Sequence, residues 1–170
     1  VSSVQGQGAR FWFQLPMRSV AVQEAKAAAE MARLLADKSL QILLVDDNPV
    51  NLLVARMMLK KCFPKADIVQ ASSGPLALEK LRTQSLDLVL MDMVMPEMDG
   101  MQVTQALRNT FPAPVCHLPV LALTASANPV DQERCLASGM NDVLHKPLDE
   151  QQLISKISNA LVAHAARSKP

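Results

Sequence analysis

Five polar residues stand where an apolar run stops. Asp46 and Asp47 follow QILLV, Asp92 follows LDLVLM, Thr124 follows LPVLAL, and Lys146 follows NDVLH. Three carboxylates gathered in one place repel one another unless something positive joins them. That positive partner is best a hard divalent cation. Oxygen ligands in incomplete number, with room left for water and a phosphate, suit Mg²⁺ better than a closed zinc or calcium site. Beside such an ion a carboxylate can act as a nucleophile toward phosphorus. Phosphoryl transfer depends mainly on positioning and charge neutralisation. The cation would take one phosphoryl oxygen, the Lys146 ammonium a second, and the Thr124 hydroxyl with nearby backbone N–H groups the third. Singly, each residue has a plainer use: Asp47 as a helix N-cap, Thr124 as a turn hydroxyl, Lys146 as a solvated charge. Their joint placement is what points to a site.

A joint placement requires elements that deliver these residues to one edge. From Leu40 onward, short apolar runs alternate five times with helical stretches. The runs are QILLVDD, ADIVQA, LDLVLMD, LPVLALTA and NDVLHKP. The helical stretches are NLLVARMMLKK, SSGPLALEKLRTQ, MQVTQALRNT, NPVDQERCLASG and DEQQLISKISNALVAHAA. Ser72 or Ser73 can cap the second helix, and Gly139 closes the fourth. This alternation predicts an α/β fold, a doubly wound five-stranded parallel sheet with helices on both faces, over about residues 40–165. Ligands of such sheets lie at the carboxyl ends of the strands, where the strand order reverses.

Composition sets the outer limits. The chain has 170 residues, 49% of them hydrophobic and 19% charged, enough to bury a core and too apolar for a disordered segment. Lys+Arg 17 against Asp+Glu 16 leaves a net charge of +1 with no basic block, which argues against nucleic acid as a partner. No apolar run reaches the ~20 residues of a membrane span, so no membrane contact is expected of this stretch. Cys62, Cys116 and Cys135 are widely spaced, odd in number and form no CxxC. They read as reduced thiols of a cytoplasmic chain, serving as small hydrophobes. A membrane tether, if there is one, belongs to a parent protein.

Together LLVDDNPVN, LMDMVMPEMDGMQVTQALR, LPVLALTA and GMNDVLHKP resemble the receiver domain of response regulators, most of all the receivers fused to hybrid sensor histidine kinases. That resemblance implies a flavodoxin-like receiver fold and a phosphoacceptor in a two-component phosphorelay. It implies Asp92 as the phosphoacceptor and Asp46 and Asp47 as the acidic pair around Mg²⁺, with Asp92 and the Val94 backbone carbonyl as further metal ligands. It implies Thr124 as the switch hydroxyl, Lys146 as the phosphoryl-binding lysine, and a cis Lys146–Pro147 bond. Asn48 and Asn51 match a DDNxxN form common in hybrid kinases. Asp99-Gly100 matches the turn after the acceptor loop, where glycine is expected to allow a positive φ. The partners implied are the phosphohistidine donor domain of a histidine kinase and a histidine phosphotransfer domain.

One position departs from the pattern. Three residues before the lysine, receivers usually carry Tyr or Phe in the switch region; here it is Val143. The response must then run through loop and helix shifts, which suits a relay station. Upstream, GQGARFWFQLP is similar to the end of a histidine-kinase ATP-binding domain, with Ala9 in place of Ser. Residues 1–16 are accordingly expected to be the C-terminal remnant of such a domain, with a turn at Gly6 and Gly8 followed by a strand that Pro16 ends. Residues 17–39 are expected to be a helical linker, Ala-rich over 20–38, and 166–170 a tail. The chain opens at Val1, which also suggests an origin in a longer protein. None of His117, His145 and His164 is followed by an acid, so none reads as a phosphohistidine donor. The dense group Met91, Met93, Met95, Met98 and Met101 reads as strand and loop packing, or as an adaptable docking surface. A haloacid-dehalogenase-type phosphatase would need an Asp at position 94, and a dinucleotide-binding module would need GxGxxG after the first strand. Neither is present. A receiver kept only for protein contacts usually loses the acidic pair or the lysine, and all of them stand here.

Overall fold

In the computed structural model, residues 2–4, 8–10 and 38–167 are described. Near the N-terminus, Ser2–Val4 pairs antiparallel with Gly8–Arg10, so Gly8 belongs to a strand and not to the expected turn. The rest of that expected strand and residues 20–37 of the expected Ala-rich helix lie outside the described residues, and Lys38 forms a bend.

From residue 41 the alternation is realised in full. The elements are β1 (Gln41–Val45), α1 (Pro49–Cys62), β2 (Asp67–Ala71), α2 (Gly74–Thr83), β3 (Leu88–Asp92), α3 (Gly100–Thr110), β4 (Val120–Thr124), α4 (Pro129–Ala137), β5 (Asp142–His145) and α5 (Glu150–Arg167). A short 3₁₀ turn at Val115–His117 precedes β4. All five strands run parallel in the order β2-β1-β3-β4-β5. Strand order therefore reverses between β1 and β3.

Why these residues make these elements is visible in their burial. The central strands β3 and β4 are buried at every position, as their unbroken apolar runs require under helices on both faces. The edge strands β2 and β5 carry polar residues among the apolar ones and are buried in part. Alternate residues go to opposite sides. Ile42, Leu44, Leu88, Leu90, Leu121 and Leu123 pack with Leu52 and Leu59 of α1 and Leu153 and Ile157 of α5. Leu43, Val45, Val89, Met91, Ala122 and Val143 pack with helices α2, α3 and α4 through Leu81, Leu107 and Cys135. Each fully buried Leu or Ile side chain contributes about 1.5–3 kcal/mol relative to exposure.

The helix starts are set by caps. Asn48 accepts from the Val50 N–H, Ser73 from Leu76 and Asn128 from Val130, each with proline in the first turn. Asp99 and Gln102 form a capping box on α3. Ser73 is thus the cap of α2, and Asn48 takes the cap that Asp47 was a candidate for. Gly139 follows the α4 cap residue Ser138 at φ 97°, the C′ position expected of it. The three cysteines are free thiols; Cys135 is buried, and burial pushes its thiol up in pKa. No described helix is long and apolar enough to cross a membrane.

Candidate functional site

The reversal of strand order puts β1 and β3 side by side, with Val45 opposite Met91 in register. Their next residues, Asp46 and Asp92, therefore emerge together at the carboxyl edge. Thr124 ends β4 and Lys146 follows β5, joined by the Lys146 N–H to the Thr124 carbonyl at 2.7 Å. Four strands deliver the expected groups to one place.

Lys146 Nζ reaches Asp46 Oδ2 at 2.7 Å and Asp92 Oδ1 at 2.9 Å. Asp46 is 1% exposed, and its other oxygen accepts from the Asn48 N–H at 2.9 Å and from Asn51 Nδ2 at 3.0 Å. Such a carboxylate is held rigid, and its Oδ2, with a single donor, keeps acceptor capacity. Asp92 and Thr124 are buried, whereas Asp47 is exposed. Burial pushes the Asp92 carboxyl up in pKa, against the Lys146 hydrogen bond that holds it down. Burial pulls the Lys146 ammonium down, and its hydrogen bonds to Asp46 and Asp92 outweigh that and leave it raised. Lysine is therefore charged here and answers one of the three carboxylates.

Asp46, Asp47 and Asp92 each present an oxygen within 4.8 Å of the others, the one such cluster among the described residues. A donor set of carboxylates with no nitrogen or sulfur fits a hard divalent cation. Asp47 is free for it, since Asn48 takes the cap.

The loop after Asp92 is shaped by a close approach. A Cβ on Gly100 would lie 2.2 Å from the Asp92 carbonyl oxygen and 2.9 Å from Met91 Cγ. Glycine is thus required at the start of α3 by contact and not by a positive φ, contrary to the expectation for the Asp99-Gly100 turn. In this loop the positive φ falls on Glu97, at 65°. Val94, two residues past Asp92, is 80% exposed. It borders a cavity of about 360 Å³ with Met93, Thr124, Ser126, Asp131 and Cys135. Met91 and Met95 are buried, and Met93, Met98 and Met101 pack partly buried against the same core, so the methionines serve packing. The Lys146–Pro147 bond is cis, as expected. Val143 is buried in the core on the α4 side and contributes no polar group. His145 is partly buried and not simply a surface residue, with Nδ1 3.1 Å from the Ser126 carbonyl.

Asn51 was matched by pattern but given no task. Its amide orients Asp46, and the signal was its place one helical turn past the second aspartate.

The profile of the response regulator receiver domain matches residues 42–158. The chain belongs to that family. Its receiver is 38% identical over 133 residues to the sensor histidine kinase GacS of Pseudomonas protegens, a match covering 78% of this chain and 14% of that protein. It is also 36% identical over 168 residues to the sensor protein EvgS of Escherichia coli, covering 98% of this chain and 14% of that protein. The chain thus spans about a seventh of these curated relatives. Among solved structures, the receiver domain of the sensor histidine kinase PA1611 of Pseudomonas aeruginosa superposes with TM-score 0.64 at 34% identity, covering 74% of this chain and 99% of that one. That receiver holds a magnesium ion in its active site cleft.

Proposed function

We propose that this receiver takes a phosphoryl group from a phosphohistidine onto Asp92 and passes it to a histidine phosphotransfer domain, as the C-terminal part of a cytoplasmic stretch of a hybrid sensor histidine kinase. The observation that carries the reading is Lys146 bridging the buried pair Asp46 and Asp92 at the point of strand reversal. An Asp92 carboxylate oxygen forms the new bond to phosphorus. The bond from phosphorus to the imidazole nitrogen breaks, and that nitrogen keeps the electron pair. Lys146 turns its ammonium from the carboxylates to a phosphoryl oxygen, and Thr124 donates its hydroxyl proton to another. Asp46, Asp47, Asp92 and the Val94 carbonyl would hold Mg²⁺, which supplies charge neutralisation for the phosphoryl oxygens. Asn48 and Asn51 keep Asp46 turned toward the site.

A protein partner must bring its histidine to this edge. Beside it, α1 exposes Val50, Leu53, Val54 and Met57 at the spacing of one helical face. That face begins two residues past the Asn48 cap and supports docking of a helical donor and acceptor. The match to EvgS over 98% of the chain supports the origin of residues 1–16 in the same kind of kinase, with 17–39 as linker.

Acetyl phosphate with Mg²⁺ is expected to add one phosphoryl group, read by intact mass, and Asp92→Asn to abolish it. Labelling that persists in Asp92→Asn moves the acceptor elsewhere. A melting temperature indifferent to Mg²⁺ would favour a receiver kept for contacts alone.

A further inference from the structure

The two groups set to meet phosphoryl oxygens, Thr124 and Lys146, end neighbouring strands, and Ser126 ties the loop between them at three of its atoms. Its N–H donates to Thr124 Oγ1 at 3.0 Å. Its carbonyl faces His145 Nδ1 at 3.1 Å. Its hydroxyl donates to Asp131 Oδ2 at 2.6 Å and accepts from the Asn128 N–H at 3.2 Å. A carbonyl can only accept, so Nδ1 carries the proton in this contact. His145 is thereby linked to Thr124 through the backbone of a single residue, Ser126.

Little else fixes this loop. The helix it enters, α4, buries one side chain, Cys135. Val143 lies on the same strand face as His145 and has no polar atom to offer. Thr124 Oγ1 accepts from Ser126, which leaves its own proton to donate. We propose that His145 is a positioning residue: through the Ser126 backbone it holds the Thr124 hydroxyl where that proton can meet a phosphoryl oxygen on Asp92. The proposal rests on the phosphoacceptor reading of the site.

The rate of phosphorylation by acetyl phosphate with Mg²⁺ tests it. His145→Ala is expected to slow the reaction by about 3- to 10-fold, the range of one net hydrogen bond. His145→Asn, whose amide nitrogen sits near the place of Nδ1, is expected to recover most of the rate. In a Thr124→Ala background, His145→Ala should cost nothing further, because its effect passes through the missing hydroxyl. A merely structural role would cost the same factor in both backgrounds. Either that equality, or a His145→Ala protein at the wild-type rate, overturns the proposal while the phosphoacceptor reading stands. A wild-type chain that takes no phosphoryl group removes both. Should His145→Ala fail to fold, NMR of the wild type decides: on adding beryllofluoride the His145 ring and Thr124 signals should shift together, and a His145 ring that does not respond refutes the link.

Discussion

Replacing Gly100 by alanine tests whether the start of α3 is what seats Asp92. The added Cβ would meet the Asp92 carbonyl oxygen at 2.2 Å and Met91 Cγ at 2.9 Å. Real Cβ atoms essentially never come within 3.0 Å of such neighbours, so the helix start must withdraw by about 0.8 Å. The obstacle is backbone and cannot rotate away. Withdrawal strains the bond from the Gly100 N–H to the Met93 carbonyl at 3.3 Å and the capping box beside it. Overpacking of this kind costs roughly 1–3 kcal/mol, and the better helix propensity of alanine returns at most about 1. With the backbone as the obstacle, the upper end applies, a net loss of about 2–3 kcal/mol, or a melting temperature lower by about 10 °C for a domain of this size. Because the strained atom belongs to Asp92 itself, phosphorylation by acetyl phosphate should slow as well. Gly139→Ala is the control. It is strained by its φ of 97° and costs about 1–2 kcal/mol, but lies away from the site and should leave phosphorylation intact. A Gly100→Ala protein with wild-type melting and wild-type phosphorylation would refute the reasoning.

Ser158 Oγ is buried against the α1–α5 core with no hydrogen-bond partner, so Ser158→Ala is expected to stabilise the domain by about 1–2 kcal/mol in thermal melts. In EDTA, Asp92→Asn should raise the melting temperature at neutral pH. Burial raises the Asp92 carboxyl pKa, so its contribution to stability is present below the ordinary carboxylate range and lost as pH rises through the raised value; the gain should vanish in acid. Val94→Asn should shorten the life of the phosphorylated protein by roughly 10-fold, since an amide can hold the attacking water and valine cannot. The Ser126 hydroxyl is already bound to Asp131 and does not take that task; equal decay after removal of the donor would show that position 94 does not control it. Amides of α4 should exchange with solvent faster than those of α1, as measured by hydrogen exchange.

The sequence shows the strand ends because β3 and β4 are buried on both faces, and such strands must be written as unbroken apolar runs whose stops are conspicuous. Asp92 and Thr124 stand out for that reason, and Asp46, Asp47 and Lys146 stand out by following the apolar runs of β1 and β5. It does not show ties that depend on which outward residue meets which distant carbonyl. Arg108 in α3 donates to the carbonyls of Cys116, Leu118 and Gly139 and thereby clamps three segments, yet in sequence it is one more polar residue of a helix. Ser126 and His145 are likewise 19 residues apart, and neither carries a local signal of the other. The role of Gly100 was misread because a glycine before a helix has two uses, a positive φ or a close approach, and the sequence alone does not separate them.

Helix α4 is packed more lightly than the other helices around the sheet, and under the proposed function that decides where a signal can travel. The α1–α5 face is packed with leucine, isoleucine and phenylalanine, and α1 alone buries Leu52, Ala55 and Leu59. On the other face α4 buries Cys135 alone, and its entry is held by hydrogen bonds around Ser126. Hydrogen bonds of this kind are worth about 1 kcal/mol each and rearrange at little cost, whereas a leucine core does not. On the proposed function, phosphorylation of Asp92 would draw Thr124 and Lys146 toward the phosphoryl group, and the strain would pass to whatever is most weakly held. That is the loop after β4 and α4. Helix α1, with its exposed apolar stripe beside the site, is the more firmly packed surface on which the proposed partner would dock. A firmly packed α1 and a lightly held α4 on opposite sides of a single sheet suit the proposed station, which receives a phosphoryl group and hands it on.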